Sequence, residues 1–310
     1  RSTLFPYTTL FRSWLTAGVS PQTGKTKSDA VKALDQARFA AKCVGNDLRQ
    51  RYVVYSPNID DEYWSQRYIR EKFSEAIEKN WINVFYQPII RARTGKICNF
   101  EALARWIDPV KGLIAPDTFI PVLEKYHLIP QLGAYMLEQV IRQVKVRAAT
   151  GLPLEPVSVN LSVLDFEANN MVGLIVDLLK KYDVEPKWIV VEITERDIAQ
   201  TATVFKQQIK ALRRHGIQVW VDDFGSGYSA LNVLNQYEFD LLKLDMQFLR
   251  QLDDHHGANR VIIKSIIRAA HELGVQTLTE GVETEAHHCF LQEVGDRKST
   301  RLNSSHWLTS

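Results

Sequence analysis

Cysteine is scarce in this sequence, and its scarcity excludes two classes of protein. The 310 residues include three cysteines, Cys43, Cys98 and Cys289, which lie far apart and form no CxxC pair. Neither a disulfide framework nor a zinc site built from paired cysteines is therefore expected. A reducing cytosol is the expected compartment.

Long hydrophobic runs and an excess of charge of one sign are also missing. No apolar run reaches the length of a membrane span, and no charged start followed by an apolar stretch marks a signal peptide. The net charge is +2, so no global field draws the chain to a nucleic-acid polymer or to a membrane surface. The sequence predicts a cytoplasmic protein that makes no membrane contact itself, although a longer parent protein could be membrane-anchored.

What the sequence does contain, over residues 81–296, is a regular alternation of strand and helix patterns. The strand candidates are 83–87, 97–103, 157–161, 188–193, 217–221, 241–244 and 275–279. Such alternation indicates a parallel sheet covered by helices. Seven strands in roughly two hundred residues favour a closed (β/α) barrel, and the absence of a GxGxxG turn disfavours an open doubly wound sheet.

Acidic residues recur where these apolar strand-like runs stop. They are Glu101, Glu192, Asp222, Asp223, Asp245, Glu280 and Glu283. Carboxylates are costly beside a packed core, so their repetition suggests a site that cations neutralise. Together with Asn160, also at a strand end, they form a set of oxygen ligands that suits Mg²⁺ or Mn²⁺ better than zinc.

The adjacent pair Asp222 and Asp223 is the most specific part of this pattern. Neighbouring carboxylates at a strand end can point to two different ions, and paired ions suit in-line displacement at phosphorus. No Ser-His-Asp set or Cys-His pair offers a covalent alternative. The pair could instead cap a helix or form a turn, because Phe224 and Gly225 follow it directly.

Six sequence blocks, in order, resemble the EAL domain family. They are FEALARW around Glu101, NLS from Asn160, EITE from Glu192, DDFGSGYS from Asp222, KLD from Lys243 and EGVET from Glu280. The resemblance covers residues 81–296 and implies an α/β fold, a TIM-like (β/α) barrel. It also implies a cyclic di-GMP phosphodiesterase of bacterial second-messenger signalling, which uses two Mg²⁺ or Mn²⁺ ions to release linear pGpG and forms a homodimer through the barrel.

The resemblance also implies roles for individual residues. One metal ion would be held by Glu101, Asn160, Glu192 and Asp222, with Asp222 bridging to a second ion at Asp223. Lys243 would contact the attacking water, and a salt bridge to Asp245 could either coexist with this role or compete with it. Glu280 would support the second ion or act as general base. The ligand would meet Gln87, Arg105 and Asp245, although Arg105 could equally pair with a carboxylate. Glu283 would anchor the loop that contains Phe224, Gly225, Ser226 and Gly227, which could otherwise be a simple turn.

The parts of the chain outside 81–296 read differently. Residues 14–56 resemble the C-terminal end of a GGDEF domain, forming a small α/β fragment in front, and 57–80 read as a linker helix. Residues 1–13 and 297–310 resemble translated sequencing-adapter text, the alternative being natural disordered tails. After Asp296 the family continues into a strand with a Gln-Gly motif that this sequence lacks, so we expect the last barrel strand to be missing.

Two other functions compete with the enzyme. A non-catalytic cyclic di-GMP receptor would usually have lost a metal ligand or the glutamate of the EAL motif, yet both are present here. A purely structural dimerisation module would have to retain a costly carboxylate cluster without using it. The sequence therefore favours the enzyme.

Overall fold

The computed structural model describes residues 17–21, 26–43, 52–91, 94–168, 170–199, 203–225, 237–246, 249, 258–282, 284–295 and 298–299. The chain divides into two compact units, Arg1–Lys72 and Phe73–Ser310. The adapter-like ends 1–13 and 297–310 lie outside the described residues, except for Lys298 and Ser299.

The first unit contains a small sheet and its helix, as predicted. Strands β1 (Ala17–Val19) and β2 (Tyr52–Val54) pair in parallel, and helix α1 (Lys27–Lys42) lies between them in sequence. A capping box starts α1: Thr26 Oγ1 accepts from the Asp29 backbone N–H at 3.2 Å, and Asp29 Oδ2 accepts from the Thr26 N–H at 3.1 Å. Helix α2 (Pro57–Glu78) follows where the linker helix was predicted.

The second unit is built around one curled sheet. Its strands are β3 (Ile82–Arg91), β4 (Ile97–Asp108), β5 (Gly112–Ile114), β6 (Val157–Asn160), β7 (Ile189–Thr194), β8 (Gln218–Phe224), β9 (Leu241–Leu244), β10 (Gln276–Thr279) and β11 (Lys298–Ser299). The spatial order is β3-β11-β10-β9-β8-β7-β6-β4-β5, and β3 also pairs with β4. The successive pairs β4–β6, β6–β7, β7–β8, β8–β9, β9–β10 and β10–β11 are all parallel. The β4–β5 hairpin is antiparallel.

The prediction of a parallel sheet is wrong for β3, which runs antiparallel to β4 and β11. The cause is the short connection between β3 and β4, because a parallel crossover needs a dozen or more residues. The backbone N–H groups of Thr94 and Gly95 both donate to the Arg91 carbonyl, at 3.2 and 2.9 Å. Gly95 has φ +65, the left-handed conformation that lets the chain turn back.

The eighth position of the ring holds only a short strand. The two residues of β11 pair with Leu278 and Thr279 of β10 on one side and with Ile90 and Arg91 of β3 on the other. Within the described residues, the last strand is represented by these two residues, which pair with both neighbouring edges, in keeping with an incomplete TIM-like barrel.

Helices cover the sheet in the order expected of a (β/α) fold. They are α3 (Pro116–Lys125), α4 (Ile129–Ala149), α5 (Val163–Ala168), α6 (Met171–Tyr182), α7 (Glu195–Ala199), α8 (Thr203–Arg214), α9 (Ala258–Glu272) and α10 (Glu285–Val294). Buried aromatic rings join α3 to β4, with Phe119 edge-on to Trp106 at a centroid distance of 5.8 Å. Within the part of the chain that the structure describes, no helix combines the length and hydropathy needed to cross a bilayer.

Candidate active site

A buried lysine lies at the centre of the carboxylate cluster. Lys243 belongs to β9 and is 1% exposed. Its Nζ lies 3.2 Å from Glu101 Oε2, 3.0 Å from Glu192 Oε2, 3.0 Å from Asp222 Oδ1 and 2.9 Å from Glu280 Oε1. An ammonium buried this deeply is tolerated because four carboxylates surround it.

The alternation of side chains along the strands explains how these groups meet. Residues two apart on a strand face the same way. One interior layer is an apolar cluster that includes Val190, Trp220, Leu241 and Leu278. Two residues further along the same strands, the next layer contains Glu192, Asp222, Lys243 and Glu280. The barrel therefore stacks a charged layer directly on its hydrophobic core.

The acidic groups form two overlapping sets, each compact enough to hold a cation. Glu101, Glu192 and Asp222 form one set, and Asp222, Asp223 and Glu280 form the other, with the ligand oxygens of each set within 4.8 Å of one another. Asp222 belongs to both. Asn160 lies beside the first set, because its Nδ2 donates to Glu101 Oε1 at 3.0 Å.

A strand irregularity separates the two adjacent aspartates. The pairing of β8 with β9 shifts between Val221 and Phe224, and Asp223 adopts φ +53. Its backbone N–H donates to Asp222 Oδ1 at 2.9 Å. Such bulges re-aim side chains next to active sites, and here the bulge directs the two neighbouring carboxylates differently.

Burial and crowding perturb the charges of the site. Burial, reinforced by nearby carboxylates, raises the pKa of Glu192 to about 8 and that of Glu280 to about 7, although Lys243 opposes both shifts. Burial and Asp222 raise the pKa of Asp223 to about 6. Burial lowers the pKa of Lys243, but the four carboxylates outweigh it and hold that pKa well above its usual value.

The donor set fits a hard divalent cation. Glu192 is fully buried, and an ionised carboxylate at such a place is costly unless a positive charge lies beside it. Carboxylate and amide oxygens are the ligands that Mg²⁺ and Mn²⁺ prefer. The two overlapping sets of oxygens are therefore consistent with cation binding.

The structure corrects the prediction that the acidic residues follow the strands, since Glu192 lies inside β7 and Asp222 and Asp223 lie inside β8. Glu101 lies inside β4, which continues to Asp108, and pairs in register with Gln87 of β3 and Ser158 of β6. It joins the cluster because the neighbouring β6 ends at Asn160, close to its level. Gln87 is half-buried opposite Glu101, and its contact with a ligand stays a prediction.

The two other predicted ligand contacts lie around the same cluster. Arg105, further along β4, donates from Nη1 to the Ala104 carbonyl at 2.8 Å, and burial lowers its pKa. Asp245 is half-buried directly after β9, and its charge contributes to the raised pKa of Asp223. Arg105 therefore interacts electrostatically with Glu101, and Asp245 with Asp223.

The sequence interpretation missed the role of Glu195. This residue is 2% exposed at the start of α7, and its Oε2 accepts from the Gly225 backbone N–H at 2.6 Å. It therefore anchors the chain that leaves Asp222 and Asp223 through Phe224, a role predicted for Glu283. Glu283, Ser226 and Gly227 lie outside the described residues. The signal was the second acidic residue of the EITE block.

A family comparison agrees with this arrangement. The sequence model of the EAL domain matches residues 70–297. The chain belongs to the EAL domain family. The match spans every strand of the barrel from β3 to β10.

Individual EAL relatives support the assignment. The bifunctional diguanylate cyclase/cyclic di-GMP phosphodiesterase MucR of Pseudomonas aeruginosa is 30% identical over 275 residues, 89% of this chain and 40% of that protein. The signaling protein YkoW of Bacillus subtilis is 30% identical over 277 residues, 89% of this chain and 34% of that protein. The chain thus spans less than half the length of these relatives.

Solved structures show the same fold. The PaMucR phosphodiesterase in its c-di-GMP complex has a TM-score of 0.70 at 31% identity, covering 75% of this chain and 94% of that one. An EAL domain protein from Listeria monocytogenes has a TM-score of 0.65 at 26% identity, covering 75% of this chain and 90% of that one.

Proposed function

We propose that the chain hydrolyses cyclic di-GMP to linear pGpG, in bacterial second-messenger signalling. The supporting relatives are MucR, which is named a cyclic di-GMP phosphodiesterase, and its solved c-di-GMP complex. The observation that carries the proposal is the membership of Asp222 in two carboxylate sets. One shared carboxylate between two cation positions suits a two-metal site, which stabilises both the attacking and the leaving oxygen of an in-line displacement at phosphorus.

The residues that would hold the ions follow from the two sets. Glu101, Asn160, Glu192 and Asp222 would hold one Mg²⁺ or Mn²⁺, and Asp222 and Asp223 a second, with Glu280 beside it. When bound, such ions lower the pKa of a bridging water and neutralise phosphoryl oxygens.

Lys243 and Glu280 would act on the attacking water. The raised pKa of Lys243 keeps its ammonium protonated, so it would donate hydrogen bonds to the attacking water rather than accept a proton. Glu280 would act as general base or support the second ion. Since Glu280 Oε1 and Lys243 Nζ are 2.9 Å apart, both groups could hydrogen-bond to the same water.

The ligand itself would be held around this centre. Gln87 lies opposite Glu101, while Arg105 and Asp245 lie at its sides. A guanidinium offers two parallel donors to a phosphate, so we assign Arg105 to a phosphate of the ligand. Gln87 and Asp245 would contact its other polar groups.

The test is turnover by purified protein. With Mg²⁺ or Mn²⁺, the wild type is expected to release pGpG from cyclic di-GMP, measured by chromatography, and Asp222→Asn should abolish release. The exposed Asp177 of α6 supplies a matched control, because Asp177→Asn should leave turnover unchanged. Unaltered turnover in the Asp222 variant would contradict the metal assignment. Binding of cyclic di-GMP in Ca²⁺ without turnover in Mg²⁺ would instead indicate a receptor.

The surroundings of the barrel are part of the same proposal. We assign β1, α1 and β2 to the end of a GGDEF domain, α2 to the linker and the barrel to a homodimer in the cytoplasm. MucR, whose name includes a diguanylate cyclase, extends well beyond the matched part, which supports the first assignment. Light scattering of the purified chain tests the dimer, and a monomeric mass that persists with cyclic di-GMP would contradict it.

A further inference from the structure

Asn160 is the last residue of β6, and packing does not hold its side chain in place. The residue is exposed, whereas Glu101 and Glu192 on the neighbouring strands are buried. Its Nδ2 donates to Glu101 Oε1 at 3.0 Å, so its Oδ1 is the atom that a cation could take. An exposed side chain is held at such a position only if the backbone that carries it is fixed.

The backbone at Asn160 is fixed on one side by β7. Asn160 pairs with Glu192 in the parallel ladder, and the Leu161 N–H donates to the Glu192 carbonyl at 2.9 Å. Beyond this bond the chain leaves the sheet, and α5 begins at Val163. The sheet therefore supports the position of Asn160 from one side only.

Asp165, in the first turn of α5, supports the chain from the other side. Its Oδ2 accepts from both the backbone N–H and the hydroxyl of Ser162, each at 2.7 Å, and its own N–H donates to the Ser162 carbonyl at 3.0 Å. An acidic side chain that reaches back to the backbone N–H three positions before it is one half of a capping box. Asp165 is 1% exposed, so these bonds lie away from competing water.

Helix α4 holds Asp165 in turn. A Cβ at Gly133 would overlap with Asp165 Oδ1 and would lie 3.1 Å from Leu161 Cδ2, so both side chains pack directly against the backbone of α4. Glycine inside a helix is less favourable than alanine, but only glycine allows this close approach. Because α4 is 21 residues long and buries one face, which includes Met136 and Val140, it is a firm support for the carboxylate.

We propose that Asp165, held against Gly133, is a positioning residue that fixes the turn after β6 and so keeps Asn160 at the metal site. The inference rests on the proposed function, because it takes Asn160 as a ligand of the first cation. The Asp165 carboxylate itself is buried between α5 and α4, so it would touch neither ion nor substrate. Partners that orient a metal ligand contribute to metal affinity without contacting the ion.

The experiment measures Mn²⁺ affinity of the purified chain by calorimetry. Asp165→Ala removes the acceptor for Ser162 and should weaken binding about 10-fold or more. Asp165→Asn should keep most of the wild-type affinity, because its amide oxygen can still accept from Ser162. Gly133→Ala should weaken binding as Asp165→Ala does, since the added Cβ displaces the carboxylate, and it tests the same contact if Asp165→Ala does not fold. Thermal melting identifies which variants are folded.

Two comparisons distinguish positioning from a general loss of structure. In an Asn160→Ala background, Asp165→Ala should cause no further loss of affinity, because changes that act through one shared contact are not additive. Phe166→Ala is the matched control, since Phe166 follows Asp165 on α5, is 4% exposed and packs edge-on to Phe205 with ring centroids 5.2 Å apart. This variant should lower the melting temperature but leave the Mn²⁺ affinity close to that of the wild type.

The outcomes separate this inference from the proposed function. A wild type that binds no Mn²⁺ and releases no pGpG would reject the proposed function, and the inference with it. Unchanged affinity in Asn160→Ala would overturn both the ligand role of Asn160 and its positioning. If Asn160→Ala weakens binding but folded Asp165→Ala or Gly133→Ala keeps the wild-type affinity, the inference fails and the phosphodiesterase proposal stands. The inference also fails if Phe166→Ala weakens Mn²⁺ binding as much as Asp165→Ala, or if Asp165→Ala has its full effect in the Asn160→Ala background.

Discussion

Replacing Lys243 by methionine tests whether the ammonium holds the charged layer together. Methionine keeps most of the volume but leaves Glu101, Glu192, Asp222 and Glu280, now within 2.9–3.2 Å of Lys243 Nζ, without a counter-charge. Breaking a buried ion pair by removing one partner costs about 3–5 kcal/mol. A cost of this size lowers the melting temperature by about 6–20 °C in a domain of this size.

The assay is thermal unfolding followed by circular dichroism in EDTA and then in Mn²⁺. Mn²⁺ should raise the melting temperature of Lys243→Met more than that of the wild type, because the variant has lost a competing positive charge. A saturating ion, at about 100 times its Kd, contributes about 2.7 kcal/mol. Lys210→Met is the control: Lys210 is 44% exposed and 3.9 Å from Glu238, so its loss should change stability by less than about 0.5 kcal/mol.

The pH dependence gives an internal check on the same variant. Glu192 has a folded pKa of about 8 against an ordinary value of 4.5, so the native state binds more protons than the unfolded state between these values. Stability therefore falls as pH rises through this window, and more steeply without Lys243. A variant that melts within about 1 °C of the wild type in EDTA at pH 8 would refute the reasoning.

Three further predictions concern other parts of the barrel. Burial raises the pKa of Asp165 to about 6, so the folded state holds this proton more tightly than the unfolded state and stability falls as pH rises from 4 to 6. Asp165→Asn should remove this fall, which is worth at most about 3 kcal/mol. Denaturant titrations across this pH range measure the change in the free energy of unfolding. Phe119→Ala should lower the free energy of unfolding by about 3–5 kcal/mol in urea, since the ring is 0% exposed. Glu195→Ala should weaken Mn²⁺ binding about 10- to 100-fold by calorimetry, and the affinity should be largely retained in Glu195→Gln, whose amide oxygen can still accept from Gly225.

The later strands of the barrel were predictable because their sequences are short apolar runs. Strand β9 was predicted with its observed bounds, and β10 begins one residue after its predicted start. A run such as 189–194 is buried almost throughout, which only a strand covered on both faces achieves. The apolar runs therefore located these strands and the acidic groups at or near their ends.

The direction of the strands and the pairing of residues between them were harder to predict from the sequence. The antiparallel course of β3 was implied by its short connection to β4, which the strand pattern alone does not weigh. The position of Glu101 within β4 depends on where the neighbouring β6 ends. The contact between Glu195 and Gly225 joins residues 30 apart, and the shifted register of β8 that permits it is a property of the folded sheet.

The excess of carboxylates over ammonium groups in the acidic cluster predicts the order in which cations and substrate bind. When ionised, the carboxylates of Glu101, Glu192, Asp222, Asp223 and Glu280 outnumber the one ammonium, Lys243, and leave four negative charges. Two divalent cations would cancel that charge, whereas an anionic dinucleotide arriving first would be repelled. If the chain is the proposed phosphodiesterase, affinity for cyclic di-GMP should thus appear only after the cations have bound, so that the free cation concentration controls turnover.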